Sequence, residues 1–295
     1  MAEVFEVILP IFLITLIGYL FGRSKLELHS ATLSTTVIMV ALPALIFSSL
    51  TSIDISIERL GSVFLAAALC LSLATVMSLI VIKALGFSVQ TCLPCLMFPN
   101  SGNMGLPLAL IAFGDIGLSL GVAYFVVISL VQHTVGMSIA SGKYDFGSLV
   151  RQPLIYAIIG VLIVILTGVK VPKVIATTTD LLGGLMIPAM LILLGNSLSK
   201  LKVSDFGPAF TLAISRLIIG VFSGLLTIWL LDLTGMIAGL VFLLASMPSA
   251  VVSYVYAERF RPDPEQIAGT IVVSTLLTFT FLPVLIWIAK AIAEH

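Results

Sequence analysis

The feature that most constrains this chain is a stretch, residues 99–107, that interrupts an otherwise apolar segment. It reads Pro-Asn-Ser-Gly-Asn-Met-Gly-Leu-Pro and holds two prolines and two glycines. A proline removes a backbone donor and clashes with the preceding helical turn, so this segment cannot form one regular helix. A second break, Met247-Pro248-Ser249-Ala250, interrupts another apolar segment. Paired breaks are typical of a transport site, because lipid cannot satisfy the backbone groups that each break frees.

Composition identifies the chain as an integral membrane protein. Of its 295 residues, 60% are hydrophobic and 9% are charged, and the mean hydropathy is +1.24. A soluble domain is about 25% charged. The formal net charge is zero, so nothing favours nucleic acid as a partner, and the expected partner is the lipid bilayer. Ten segments approach the length of about 20 apolar residues that spans a bilayer: 4–22, 30–50, 60–84, 88–113 (broken), 116–140, 150–168, 173–198, 206–231, 235–258 (broken) and 265–292.

The two halves of the chain resemble each other. Leu-Pro-Ala-Leu-Ile at 42–46 matches Ile-Pro-Ala-Met-Leu at 187–191, and the fourth and ninth segments both break at a proline. The offset is about 145 residues. Because five helices per half is an odd number, the second half must enter the membrane inverted. We predict an all-α integral membrane fold of ten transmembrane helices, with broken crossover helices 4 and 9, in two inverted repeats over residues 1–147 and 148–295.

Loop lysines and arginines predict the orientation, because positive charges concentrate on the cytoplasmic side. One side of the predicted bundle collects Arg23, Lys25, Lys83, Lys143, Arg151, Lys200, Lys202, Arg259 and Arg261. The other side collects Arg59, Lys170, Lys173 and Lys290. We therefore expect the first side to be cytoplasmic and both termini to face outward.

Few polar side chains lie at membrane depth, and none of them is a carboxylate near a segment centre. Asp115, Asp232 and Glu258 all fall near segment ends. A cation bound at this depth would therefore have no carboxylate to neutralise it. An anion could bind at the start of each second half-helix, where unpaired N–H groups and a partial positive charge are present. The predicted substrate-binding residues at these starts are Asn100, Ser101, Asn103, Ser249, Ala250 and Val251, and the predicted hinges are Pro99, Gly102, Pro107 and Pro248.

Three of the polar residues have alternative roles. The amides of Asn100 and Asn103 can donate to a carboxylate, or they can cap the broken helix ends. Arg216 lies about 15 Å along its helix from either end, which is too deep to reach the interface easily. It is either a counter-charge for the substrate or a cation that neutralises the carbonyl ends of the first half-helices, near Phe98 and Met247.

Gln132 and His133 are adjacent on the fifth segment. Their side chains point about 100° apart, so only one of them can face the crossing. Gln132 is predicted to contact the substrate. His133 either carries a proton or is a packing residue whose hydrogen bonds are satisfied within the protein.

Cys92 and Cys95 have the spacing of a redox motif, but their neighbours are mostly apolar. Reactive thiols need an electropositive, partly exposed setting. The three histidines show no spacing of metal ligands, so we predict neither a metal site nor a cofactor. A membrane thiol oxidoreductase is the alternative of a different class, and it predicts that Cys92→Ser abolishes activity.

These residues resemble the auxin efflux carrier family, which includes the plant PIN carriers and many bacterial permeases. The fourth helix of the family carries Pro-Asn-Thr/Ser-x-x-Met-Gly-Ile/Leu-Pro, and residues 99–107 match it in full. Residues 247–260 look like the ninth-helix stretch Pro-x-x-x-x-x-Phe/Tyr-Val-Phe/Tyr-Ala-Lys/Glu, and residues 263–277 continue the likeness. Residues 42–47 resemble the second-helix motif. The resemblance covers essentially the whole chain.

The resemblance implies a fold similar to that of sodium/proton antiporters and bile-acid transporters, with a scaffold and a moving transport domain. It also implies an organic anion as substrate: auxin in plants, malate or malonate in some bacterial members. The asparagine after the first crossing proline contacts the substrate in plant carriers, and this role carries over to Asn100. The implied scaffold covers about 1–55 and 148–203, and the implied transport domain covers about 56–147 and 204–295.

The chain departs from the plant carriers because it lacks their long loop between helices 5 and 6. Auxin is therefore not implied as the substrate. The short loops resemble those of bacterial members, so we expect a multi-pass protein of the bacterial inner (plasma) membrane. A homodimer is left open.

We interpret the chain as a secondary transporter that moves a small carboxylate by elevator-type alternating access, and not as an enzyme. Uniport or coupling to a proton fits better than coupling to sodium, because the crossing lacks acids. A sodium/proton antiporter of similar fold is the first alternative, and it would need a buried acid that the sequence does not offer.

Overall fold

The structure is a computed structural model that describes residues 2–24, 28–52, 56–143, 152–201 and 205–294, with side chains from residue 6 onward. In these ranges the chain is helical and forms no strand, which confirms the prediction of an all-α membrane protein. Lys25, Arg151 and Lys202, which contributed to the predicted orientation, lie outside the described residues. Within the described ranges, seven helices are long and apolar enough to cross a membrane: Glu6–Arg23, Ser30–Thr51, Ile57–Leu85, Ser101–Ser141, Lys173–Lys200, Phe206–Leu230 and Pro264–Ala293.

The first half of the chain contains seven α-helices and three π turns within its described residues. The helices are α1 (Ala2–Arg23), α2 (Ser30–Thr36), α3 (Leu42–Thr51), α4 (Ile57–Leu85), α5 (Val89–Met97), α6 (Leu106–Val131) and α7 (Met137–Ser141). The π turns are Val37–Ala41, Ser101–Gly105 and Gln132–Gly136. The first two π turns directly precede α3 and α6, each of which has a proline near its N-terminus. A proline there cannot donate to the preceding turn, so a wider turn is tolerated.

The described residues of the second half form seven further helices. They are α8 (Pro153–Thr167), α9 (Lys173–Gly184), α10 (Met186–Lys200), α11 (Phe206–Leu230), α12 (Gly235–Ala245), α13 (Val252–Phe260) and α14 (Pro264–Ala293). Two of them, α8 and α12, are apolar but shorter than a full span. The count of ten spans and the inverted repeat therefore stay predictions.

One helical stretch folds back on itself. Ser101–Ser141 contains 41 residues, which at 1.5 Å per residue is about twice the thickness of the hydrocarbon core. Gly114 divides this stretch with φ 69° and ψ −163°, a conformation that is open essentially only to glycine. Beyond it, a Cβ on Gly121 would lie 3.2 Å from Cβ of Ala109 and 3.3 Å from Cδ2 of Leu106. The second arm therefore runs back along the first, and the boundary between predicted segments four and five lies at Gly114.

We expect Gly114→Ala to lower the free energy of unfolding by about 1–3 kcal/mol, because a Cβ strains this backbone conformation. The space around Gly114 is open, so a steric clash contributes nothing. Gly61→Ala is the matched control: Gly61 lies within α4, its added Cβ would also meet no atom within 4 Å, and alanine favours a helix by about 1 kcal/mol. Thermal unfolding in detergent measures both variants. Equal stability of the two variants would contradict a strained reversal at Gly114.

Most close helix contacts fall in two groups, which also contact each other where α3 packs against α6 and α1 packs against α6 and α14. In the first group α1 lies along α10, while α8 and α9 pack against α3. The approach of α1 to α10 is close: a Cβ on Gly195 would lie 1.9 Å from the carbonyl oxygen of Thr15, and one on Gly18 would lie 2.1 Å from that of Ile192. Small residues commonly allow such contacts between membrane helices. In the second group α4, α5, α6, α11, α12 and α14 pack together. The two groups resemble the expected scaffold and transport domain, a division that stays a prediction.

Candidate functional site

The two breaks meet and satisfy each other's backbone. The N–H of Asn100 donates to the carbonyl oxygen of Pro248 at 2.8 Å, and the N–H of Ala250 donates to that of Phe98 at 3.1 Å. Pro99 and Ser249 form an isolated antiparallel bridge between these bonds. Groups that the breaks remove from helical hydrogen bonding are thereby paired inside the protein. The ends of α5 and α12 and the starts of the two following half-helices are held at one point, which we call the crossing.

Arg216 lies on α11 and binds the ends of both first half-helices. Its Nη2 donates to the carbonyl oxygen of Ala245, the last residue of α12, at 2.7 Å. Its Nη1 donates to the carbonyl oxygen of Leu96, in the last turn of α5, at 3.2 Å. Carbonyl groups at helix ends lack intrahelical partners and carry partial negative charge. This geometry favours the helix-end role of Arg216 over the counter-charge role.

The space around Arg216 supports the same interpretation. A cavity of about 10 Å³ lies beside it, lined among others by Cys70, Tyr124 and Ser223. This is close to the smallest volume that accommodates one water molecule, so this conformation has no room for a carboxylate beside Arg216 or beside Pro99 and Ala245 of the crossing, which also line the cavity. The side chain itself is only 1% exposed. The two half-helix ends occupy Nη1 and Nη2, while Nε is buried and has no partner in the protein.

A set of buried polar groups lies at or near the crossing without partners in the protein. They are Asn100 Nδ2, Ser101 Oγ, Ser249 Oγ, Gln132 Nε2 and Arg216 Nε. None of these residues is more than 6% exposed. Asn100 occupies the N-cap position of the π turn Ser101–Gly105, yet its side chain makes no capping hydrogen bond. Capping alone therefore does not account for Asn100, and unsatisfied buried donors of this kind are expected to bind water or a ligand.

The backbone N–H groups at the two half-helix starts differ in whether they already have a hydrogen-bond acceptor in the protein. The N–H groups of Met104 and Gly105 both donate to the carbonyl oxygen of Asn100 at 3.2 Å, so the donors before them are at the open end of the turn. At the other start, the N–H of Ala250 is occupied by Phe98 and is not available to an anion. Asn103 and Val251 are half-buried. These two residues are the more accessible members of the predicted set.

The predicted hinge residues do not all interrupt the helix. The break lies at Phe98–Asn100, where α5 has ended and the π turn has not begun. Pro107 is the second residue of α6 and lies inside continuous helix, where the wider π turn Ser101–Gly105 before it accommodates a residue that cannot donate. Gly102 serves close packing, since a Cβ there would lie 2.8 Å from Cε2 of Phe125. Pro99 and Pro248 are the two prolines at the break itself.

Gln132 and His133 belong to the third π turn, which packs on the crossing through Gly136. A Cβ on Gly136 would lie 2.6 Å from Cε2 of Phe98. The hydroxyl of Tyr256 donates to the carbonyl oxygen of Gln132 at 3.0 Å, while the amide nitrogen of Gln132 has no partner. His133 Nδ1 lies 2.8 Å from the carbonyl oxygen of Ser129. This contact makes Nδ1 the donor and leaves Nε2 for protonation, so it is compatible with the packing role and with the proton-carrier role.

Several contacts at the crossing involve residues that the sequence reasoning missed. Ser274 Oγ on α14 accepts from the N–H of Ser249 at 3.3 Å, and Ser253 Oγ donates to the carbonyl oxygen of Pro94 at 3.0 Å. A sequence pattern does predict that Ser274 faces the protein interior. Thr270, Ser274 and Thr278 recur every four residues in an apolar segment, which indicates one polar helical face turned toward protein.

The cysteines lie inside the protein. Cys92 and Cys95 on α5 are free thiols with 0% exposure, and Cys70 on α4 is also buried. Burial of this kind is typical of packing cysteines. Among the described residues, no group of three or more histidine, cysteine, aspartate or glutamate side chains could hold a metal ion.

The chain is similar to membrane transporters over almost its whole length. The profile of a family described as membrane transport protein matches residues 3–144 and 134–288. An uncharacterised transporter of Methanocaldococcus jannaschii is 26% identical, over 96% of this chain and 97% of its own. An uncharacterised transporter of Methanothermobacter thermautotrophicus is also 26% identical, over 94% of this chain and 96% of its own. The similarity extends across both half-helix breaks.

Proposed function

This chain belongs to the membrane transport protein family, that of the auxin efflux carriers, and on this premise we propose that it is a secondary transporter for a small organic anion. The substrate class is a carboxylate, and the mechanism is elevator-type alternating access. The domain formed by about 56–147 and 204–295 carries the crossing against a scaffold of about 1–55 and 148–203. Most close helix contacts lie within one of these two domains, and α3 packs against α6 between them.

The unpartnered donors at the crossing are the observation that carries the proposal. Asn100 Nδ2 and the neighbouring hydroxyls are buried donors beside two helix starts, and helix starts favour anions through free N–H groups and partial positive charge. Asn100, Ser101, Asn103, Ser249, Val251 and Gln132 form the proposed binding set. Ala250 contributes through packing, since its N–H is occupied, and Arg216 positions the half-helices.

The charged residues argue against a cation as substrate. Among the described residues, no aspartate or glutamate is buried, and Arg216 is the only buried charged side chain. A sodium/proton antiporter needs an acid at membrane depth to hold and release its ions. We therefore favour uniport, or coupling to a proton, for which His133 stays the candidate carrier.

Uptake into proteoliposomes tests the proposal. Purified protein reconstituted at known orientation should give saturable uptake of radiolabelled carboxylates down an imposed gradient, and liposomes without protein are the control. Ligands that bind should also raise the melting temperature, because they stabilise the state to which they bind. Sodium–proton exchange without uptake of any carboxylate would contradict the proposal and favour the antiporter.

The orientation has its own test. A cysteine introduced at Gly147, which lies outside the described residues, should react with impermeant reagents only from the cytoplasmic side, and one at Ala2 should react only from outside. Cys70, Cys92 and Cys95 are buried, so the native thiols serve as an unreactive background. The reverse labelling pattern would contradict the orientation that the loop charges predict.

A further inference from the structure

An apolar cluster joins the two helix groups near the start and the end of the chain. Val7 and Ile11 of α1 and Leu191 of α10 belong to one buried cluster with side chains of the second π turn, α6, α12 and α14. Its members from these four elements are Met104, Leu108, Phe242, Leu243, Met247, Leu282, Leu285, Ile286 and Ala289. Every member is at most 4% exposed. We call this set the terminal cluster.

The terminal cluster closes the crossing toward the side of the membrane where the termini lie. Met104 belongs to the second π turn and Met247 directly precedes Pro248, so the cluster borders the crossing. From there it extends to Val7 near the start of α1 and to Ala289 near the end of α14. A polar solute would lose its hydrogen bonds in such a cluster, so no polar path to the crossing exists on this side.

The opposite side of the crossing is packed differently. There α5 enters the crossing and α13 leaves it, and α7 lies beside them. Among the described elements, these three helices pack closely only on one another, on the third π turn and on helices of the second group. The helices of the first group therefore do not close this side by close packing on them.

The exposure of Asn103 indicates where the crossing is open. Asn103 is half-buried, whereas Gly102 and Met104 on either side of it are buried. Its π turn packs on α10, and the terminal side of that contact is filled by the terminal cluster. A partly exposed amide at membrane depth is costly in lipid. The space beside Asn103 therefore belongs to a cleft that opens away from the termini.

We propose that the terminal cluster is a closed gate, and that this conformation opens the crossing only toward the side opposite the termini. The inference rests on the proposed function, because alternating access requires that one side closes while the other opens. With the termini outward, as the loop charges predict, the gate is the outer one. In the other state Val7, Ile11 and Leu191 separate from the remaining members of the cluster, whereas a permanent core would stay packed.

Cysteine labelling tests which side is closed. The native thiols are buried, so a single introduced cysteine reports its own reactivity. Asn103→Cys should react with an impermeant maleimide from the side that labels a cysteine at Gly147, and at least tenfold more slowly from the side that labels one at Ala2. Leu108→Cys, within the gate, should react from neither side. Equal or faster labelling of Asn103→Cys from the Ala2 side, or its protection from both sides, would overturn the inference.

A polar substitution tests whether the cluster holds the gate shut. Ile11 is fully buried in the cluster, whereas Ile17 on the same helix is 48% exposed. Ile11→Ser leaves a cavity and a hydroxyl among apolar side chains, which destabilises the closed state. We expect labelling of Leu108→Cys from the Ala2 side to rise at least tenfold with Ile11→Ser and to stay within threefold with Ile17→Ser, while Cys92 stays unlabelled. Equal rates in the two backgrounds would contradict the gate.

A cross-link distinguishes a gate from a permanent core. Phe279 of α14 packs against the cluster, and its ring centroid lies 6.3 Å from that of Phe12 on α1. Cysteines at both positions, bridged by a mercuric ion, should stop carboxylate transport by at least 90%, and excess thiol should restore it. The wild type and the two single-cysteine variants, treated in the same way, are the controls. Transport that continues in the bridged protein would overturn the gate and leave the proposed function intact, whereas a wild type that never transports a carboxylate would overturn the proposed function.

Discussion

Asn100→Asp should abolish detectable binding of the carboxylate, and Asn100→Ala should weaken it by roughly 10- to 150-fold. The estimate for alanine follows from the loss of one hydrogen bond to a charged group, about 1.5–3 kcal/mol, since 1.4 kcal/mol is about tenfold in affinity. Asn100 is 4% exposed and its Nδ2 has no protein partner. Aspartate would additionally set a negative charge against the anion, where little water is present to screen it.

A second buried asparagine provides the control for this experiment. Asn196 on α10 is 2% exposed and its Oδ1 has no partner, but it faces Gly22 on α1: a Cβ added to that glycine would lie 2.9 Å from Oδ1. Asn196→Ala should therefore leave the affinity unchanged, whatever it does to stability. Affinity is measured by calorimetry on variants whose unfolding is cooperative. Near-normal affinity of Asn100→Asp would place the anion elsewhere.

The positions of the breaks could be predicted from the sequence because their cause is local. Proline lacks a donor in every environment, and Pro99 and Pro248 follow the ends of α5 and α12. Proline alone is not sufficient, because Pro94 and Pro283 lie inside continuous helices. The meeting of the breaks followed from the likeness of the two halves. The likeness of the two halves does not predict which atoms pair across the crossing. That pairing depends on the register of two segments that lie about 150 residues apart in the chain.

Other features depend on three-dimensional neighbours, which a single sequence does not reveal. The two roles of Arg216 could not be separated, since both require a cation at the same depth. Gly114 was one glycine among 23, and nothing local showed that the chain reverses there. Such features require knowledge of which helices pack together.

Removal of the Arg216 side chain should cause the largest loss of stability. In Arg216→Met, the carbonyl oxygens of Leu96 and Ala245 lose charge-assisted donors in a site with room for one water molecule at most. A hydrogen bond from a charged group contributes about 1.5–3 kcal/mol, so we expect the free energy of unfolding to fall by about 3–5 kcal/mol. Arg216→Lys keeps the charge and should recover part of this loss.

Arg261 provides a matched comparison of the same residue type. It also donates to carbonyl oxygens at a helix end, those of Ile139 and Ala140 near the end of α7, and to Oε1 of Gln90. Arg261 is only half-buried, so water can replace the donors that Arg261→Met removes. We expect a clearly smaller loss of stability for Arg261→Met than for Arg216→Met, although both remove a guanidinium from helix-end carbonyls.

The stability of the ligand-free protein decides between the two roles of Arg216. A counter-charge for the substrate would be an unpaired buried cation when no ligand is bound, and its removal would leave stability unchanged or raise it. A cation that neutralises two helix ends stabilises the protein whether or not the substrate is present. Anion affinity does not distinguish the roles, because uncompensated helix ends would also repel the anion. Unfolding of Arg216→Met measured without ligand therefore provides the test, and wild-type stability in that variant would assign Arg216 to the substrate.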